Sequence, residues 1–209
     1  MSPGVFTIGH STHPLERFIG LLSVHGIDVV CDVRSKPWSR LNPWFNRDEL
    51  KHALRAHGIG YLFLGRELGA RSDDPSCYEN GRVQYDRLAR TELFQQGLSR
   101  IQDGLRRGFR IALMCAEKEP LECHRAILVA RHLAAAGMDV RHIHANGKLE
   151  THADALSRLA RMVGVPEDDM FRSPEDLQSD SYRRQESRIA YRIERTPAVA
   201  HAAAASALG

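Results

Sequence analysis

The chain has 209 residues, 43% hydrophobic and 26% charged, enough for the core of one globular domain with a short appendage. Its 29 basic and 26 acidic residues leave a formal net charge of +3, too balanced to demand a polyanionic partner without a local basic patch. No apolar run approaches the roughly 20 residues of a membrane span, and Met1-Ser2-Pro3-Gly4-Val5 lacks the charged start of a signal peptide, so no membrane partner and a cytoplasmic location are expected.

Val5–Ile8 is a short β-branched and aromatic run that ends in Gly9-His10-Ser11-Thr12. The glycine lets the backbone approach a ligand, and Ser11 or Thr12 can cap the following helix, whose free N–H groups suit an anion. The plainer alternative is a capped helix beside a surface histidine. Leu15, Phe18, Ile19, Leu22 and Val24 recur at helical spacing until Gly26. Asp28–Arg34 reads as a second strand that places Asp32 and Arg34 on one face. These two are either an ion pair holding the next loop or a proton-moving carboxylate beside an anion-gripping guanidinium.

Ser35–Phe45, with Pro37 and Pro43, must be a loop, and it holds both tryptophans, Trp38 and Trp44, among Lys36 and Arg40. Such interleaving can stack bases and neutralise phosphates, or the rings can pin the loop to the body. Leu50, Ala53 and Leu54 predict a helix closed by Gly58, and Ile59–Leu64 a third strand. Residues 65–85 form a long excursion of the kind that often carries function. After a helix through Leu93, Phe94, Leu98, Ile101 and Leu105, Phe109–Cys115 is the best candidate for a buried strand. Pro120 then opens a helix that runs to Ala136 and is closed by Gly137. Asp139–His144 is a fifth strand with His142 and His144 on one face, and Thr151–Val163 a further helix. Ser181–Arg195 is a basic helical stretch with Tyr182, Ile189 and Tyr191, while residues 196–209 form an alanine-rich tail beyond a domain of residues 1–195.

Strands alternating with helices predict a mostly parallel sheet of about five strands with helices on both faces. Ligands in such sheets bind outside the carboxyl ends of the strands. The densest chemistry falls at one such end, Cys115-Ala116-Glu117-Lys118-Glu119-Pro120-Leu121-Glu122-Cys123-His124-Arg125. The strand delivers Cys115 and Glu117, and the expected first helical turn holds Cys123, His124 and Arg125, where thiol pKa values fall and anions are favoured. The four cysteines, Cys31, Cys77, Cys115 and Cys123, form no C-x-x-C pair, so a disulfide scaffold is not expected.

Three chemistries compete for this segment. A cysteine phosphatase or sulfurtransferase loop needs an arginine at the position that Leu121 occupies, so that pattern fails. A metal could draw on Cys115, Cys123 and His124, but neighbours on a helix point about 100° apart, which makes joint ligation by Cys123 and His124 awkward. Acid–base or electrostatic catalysis by Asp32, Glu117 and His124 on a substrate held by arginines remains.

Thr7-Ile8-Gly9-His10-Ser11, Asp32-Val33-Arg34 with Pro37 and Ser39-Arg40, Tyr61 with Leu64-Gly65 and Leu68-Gly69, Cys115-Ala116-Glu117 with Cys123-His124-Arg125, His142-Ile143 and Gln185–Arg192 together resemble one family, the bacterial and archaeal domain of unknown function 488. The resemblance spans roughly residues 5–193. It implies a Rossmann-like three-layer α/β fold and an intracellular protein, and brings no reaction with it.

The resulting expectation is an enzyme for a phosphorylated or nucleotide-like substrate, including a nucleic-acid end or base. Asp32, Cys115, Glu117, Cys123 and His124 are its catalytic candidates, and His10, Ser11, Arg34, Arg40 and Arg125 its substrate-binding ones. No cofactor is expected and the G-x-G-x-x-G pattern is absent, and no metal is expected because joint ligation by Cys123 and His124 is awkward. The alternatives are a non-catalytic nucleotide- or nucleic-acid-binding module using Trp38, Trp44 and Arg183–Arg195, and a metal or redox sensor built on Cys115 and Cys123.

Overall fold

The computed structural model describes residues 3–166 and 168–193; the alanine-rich tail expected from residue 196 lies outside the described residues. Strand β1 (Gly4–Gly9) leads through α1 (Leu15–Val24) to β2 (Val29–Asp32), and α2 (Arg47–Ala56) leads to β3 (Gly60–Phe63). The excursion expected at 65–85 is structured: it folds into a short helix α3 (Gly65–Leu68) and a hairpin of β4 (Tyr78–Glu79) and β5 (Arg82–Val83). Next come α4 (Tyr85–Ala89), α5 (Glu92–Arg106) and β6 (Arg110–Cys115). A π-helical turn (Arg125–Ala130) runs into α6 (Arg131–Ala135), followed by β7 (Val140–Ile143), β8 (Leu149–Thr151), α7 (His152–Val163) and α8 (Pro174–Ile189).

The main sheet has six strands in the order β3-β2-β6-β1-β7-β8, parallel except for the β7–β8 pair. Helices cover both faces, giving a three-layer, Rossmann-like α/β fold. The sixth strand is the one that hydrophobic patterning did not reveal, because Leu149-Glu150-Thr151 is too short to show an alternation.

Alternation along β1 divides the core. Phe6 and Ile8 face α1 and α2, where Phe18, Leu22, Leu50 and Leu54 are fully buried. Val5 and its neighbours on β6, Ile111 and Leu113, face the other layer, with Ile101, Ile127, Leu159 and Tyr182. Each buried Leu, Ile or Phe contributes roughly 1.5–3 kcal/mol of transfer free energy.

Local signals set the helix ends. Thr91 caps α5 by accepting from the Phe94 N–H, and Ser173 and Asp176 form a capping box around Pro174 at the start of α8. The expected capping of α1 by Ser11 or Thr12 is not found: the helix begins after Pro14, and Ser11 takes a left-handed turn at φ 47°. Residues 181–193 of the basic C-terminal stretch are part of the body. Gln185 donates to the Leu121 carbonyl and Glu186 accepts from the Tyr85 N–H. Beyond α8 the chain pairs with the β4–β5 hairpin, the Val83 N–H donating to Tyr191 O and the Ile193 N–H to Gly81 O. Among the described residues no helix is long and apolar enough to cross a membrane.

Candidate active site

Strands β2, β6 and β1 are neighbours, and their carboxyl ends open into a cavity of about 590 Å³. Two backbone bonds carry the sheet ladder past the strand ends: the His10 N–H donates to Cys115 O and the Ser11 N–H to Ala116 O, both at 2.9 Å. This seats the loop after β6 directly on Gly9. A Cβ at Gly9 would lie 1.9 Å from the Glu117 carbonyl oxygen, so only glycine allows the approach.

The floor of the cavity is sulfur and imidazole. Cys115, at the end of β6, and Cys123 are both almost fully buried, and His124 is nearly so. His124 Nδ1 lies 3.8 Å from each Sγ. Its Nε2–H donates to the Val33 carbonyl at 3.0 Å, which fixes the ring and leaves Nδ1 facing the sulfurs. The expected unbroken helix from Pro120 is interrupted here: Pro120–Glu122 is a 3₁₀ turn, Cys123 is extended (φ −137°, ψ 142°), and the π turn begins only after His124. The helical 100° step therefore does not separate Cys123 from His124, and the expected obstacle to their acting together is removed. The Arg125 backbone N–H points at Cys123 Sγ from 3.4 Å.

Charge is distributed unequally over this floor. The hydrogen bond to Cys123, then burial, pushes the Cys115 thiol up. Burial acts the same way on Cys123, but the hydrogen bond from Cys115 and the charges of Arg125 and His124 outweigh it and hold that thiol well below the usual range. The Cys123 Sγ–H donates to Glu117 Oε2 at 2.9 Å. Burial of the carboxyl end, then the charge on Cys123, raises Glu117, although much of the residue is open to solvent. Burial opposes protonation of His124, yet the neighbouring Cys123 and Glu117 prevail and raise its pKa.

A second cluster forms one wall. Arg34 Nε and NH2 fork onto Asp32 at 2.9 and 2.7 Å, NH2 also donates to Phe45 O, and NH1 donates to His10 Nε2 at 3.2 Å. Tyr61 donates to the same Asp32 carboxylate at 2.8 Å. His10 Nδ1–H donates to Ser11 O, so its Nε2 lone pair is the one that meets Arg34. Burial, then the Arg34 charge, lowers His10 to about 4 and keeps it neutral.

Of the residues singled out from sequence, His10, Ser11, Arg34, Cys115, Glu117, Cys123 and His124 line the cavity together. Asp32, Arg40 and Arg125 are not among its lining residues. Asp32 is fully buried under Arg34 and Tyr61, so the ion-pair alternative describes it. Arg34 spends four of its five N–H groups within the protein, which rules out a two-pronged grip on a ligand. Arg40 faces solvent. Arg125 is wholly buried and donates to the carbonyls of Glu117 and Lys118 at 2.7 and 3.1 Å, with Nε unpartnered. It shapes the loop instead of reaching for an anion.

Sequence reasoning missed Arg71, Tyr85 and Tyr191, which also line the cavity together with Lys36 and Lys118. The Arg71 guanidinium lies over the Tyr191 ring, 4.5 Å from its centroid. Trp38 lines the cavity and is two-thirds exposed, whereas Trp44 lies outside it and donates weakly to His13 O. Of His142 and His144, the first is buried between sheet and helix and the second pairs with Glu150 at the sheet edge.

A family model described as domain of unknown function DUF488 matches residues 14–132, more than half of the chain. That span contains β2, β6 and the Cys115–Arg125 segment, and leaves His10 and Tyr191 outside. No curated protein and no solved structure matches the chain.

Proposed function

The chain belongs to the DUF488 family, and from that premise we propose that it is an enzyme acting on a small anionic, nucleotide-like substrate in the cleft at the strand ends. One observation carries the reading: the two thiols, His124 and Glu117 share a single cavity with Lys36, Arg71 and Lys118 and with the rings of Trp38 and Tyr191. The cations suit a phosphate or carboxylate, and the rings suit a planar group beside it. Glu117 is the proton-moving group, since it faces Cys123 and the opening, and His124 holds the floor beside the two sulfurs. Arg34 and His10 position the wall, and Arg125 positions the loop.

A thermal-shift and calorimetric screen of nucleotides and sugar phosphates tests this reading. Lys36→Ala with Arg71→Ala should weaken any ligand by roughly 10- to 100-fold, the worth of one or two charge-assisted hydrogen bonds. Glu117→Gln should bind normally and turn over no substrate. Binding indifferent to Lys36, Arg71 and Lys118 would overturn the anionic-substrate assignment. Full turnover in Glu117→Gln and Cys123→Ser would remove the catalytic one and leave a binding module.

A further inference from the structure

We propose that Cys115, Cys123 and His124 form a zinc site whose fourth position opens into the cleft. The three ligating atoms, two Sγ and Nδ1, all lie within 4.8 Å of one another, with Nδ1 3.8 Å from each sulfur. Zn–S bonds of about 2.3 Å and Zn–N bonds of about 2.0–2.1 Å in a tetrahedron place ligand atoms roughly 3.5–3.8 Å apart, so small side-chain movements close the set around an ion. Two thiolates and one imidazole are a soft, mixed donor set that favours zinc over magnesium or calcium.

The surroundings fit the same assignment. The Nε2–H to Val33 O bond is the outer contact that orients a ligating imidazole and leaves Nδ1 for the metal. The Arg125 N–H directed at Cys123 Sγ does the same for a thiolate. Arg125 is a buried cation whose side-chain partners are carbonyls, a setting that favours anionic sulfur nearby. A divalent ion held by two thiolates is electroneutral and so adds no net charge beside it. Binding releases the protons of the two thiols, and any proton on Nδ1, to solvent. Three protein ligands with one open position are the arrangement of catalytic zinc sites, and Glu117, next to Cys123 and open to the cleft, is placed to move protons to or from whatever occupies that position.

Metal binding stands on this geometry alone, whereas the use of the open position rests on the substrate reading above. The full-length chain, purified under reducing conditions and dialysed against metal-free buffer, is assayed for metal by mass spectrometry. It should retain about one zinc per chain, the stoichiometry of a three-ligand site. Cys115→Ser, Cys123→Ser and His124→Asn should each weaken zinc by more than the roughly 10- to 100-fold that loss of an outer contact causes. Lys36→Ala with Arg71→Ala should leave it unchanged. Should a ligand variant not fold, the stripped wild-type chain titrated with cobalt should develop thiolate-to-metal absorption and the visible bands of a tetrahedral ion. A wild-type chain that takes up neither zinc nor cobalt, or a Cys115→Ser chain that holds zinc as tightly as wild type, would overturn the site. Zinc retained without any anionic ligand would fault only the substrate reading. A ligand bound equally well by metal-free protein, with no zinc uptake, would fault only the metal.

Discussion

Two buried histidine clusters flank strand β1, and they differ in how they end. At the carboxyl end of the strand, His10 and His124 belong to chains of polar groups that open into the cleft. In mid-strand, Thr7 starts a closed relay: Oγ1 lies 2.8 Å from His142 Nδ1, His142 Nε2 3.0 Å from His152 Nδ1, and His152 Nε2 2.8 Å from Tyr182 OH. Every member of this relay is buried, and each ring nitrogen has one partner. With the protons running one way along the relay, each imidazole donates once and accepts once, which satisfies both rings in their neutral form. Burial, then each other's proximity, lowers His142 to about 3, and burial lowers His152 to about 4. Burial and histidine content are thus alike in the two places. What separates the two places is where the polar chain ends, inside the protein for the relay and at the exposed side chains of Lys36, Glu117 and Lys118 for the cleft.

The sharpest way to break the contrast is Gly9→Val. The side chain would collide with the Glu117 carbonyl, displace the loop after β6 and dismantle the open cluster while leaving the relay intact. We expect a loss above the ~3 kcal/mol of ordinary overpacking in urea unfolding, together with loss of metal and ligand.

Acid comes next. The unfolded chain protonates His142 and His152 below about pH 6.5, whereas the native state keeps both neutral to about pH 3–4. Unfolding therefore takes up protons, and stability is full above pH 6.5 and lost as the pH falls toward 4. Between pH 7 and 5 the pair should cost about 4 kcal/mol, read from denaturant midpoints across pH. His152→Phe should cost about 2 kcal/mol at pH 7, because His142 Nε2 and the Tyr182 hydroxyl lose their partner, and it should flatten the acid response. If it also abolished zinc uptake, the two clusters would not be separable. Tyr182→Phe is the mildest change, about 1 kcal/mol, with the cleft untouched.

The sheet was readable because its inner strands are continuous apolar runs and glycines punctuate the helices, as at Gly26, Gly108 and Gly137. The grouping of Cys115, Glu117, Cys123 and His124 was readable too, since one strand end and one short loop hold them all. Arg125 was misplaced because an arginine at a helix start reads as a surface group. Its burial follows from a tertiary fact, the loop backbone lying on Gly9 with two carbonyls to satisfy. The break at Cys123 was likewise invisible, as Glu-Cys-His-Arg shows no helix-breaking residue. Arg71 and Tyr191 come from stretches about 120 residues apart that meet only because the chain after α8 adds to the β4–β5 hairpin.

That late addition has a consequence for how specificity can vary. The thiol–imidazole floor is built from strands β2 and β6 and the segment between Cys115 and His124, but one wall is supplied by Ile189 and Tyr191, held by backbone pairing to Val83 and Gly81. Backbone pairing is indifferent to side-chain identity, so residues there can be exchanged without disturbing the bonds that hold the strap. A substitution at Tyr191 should thereby change what the cleft admits while leaving the thiol–imidazole floor in place.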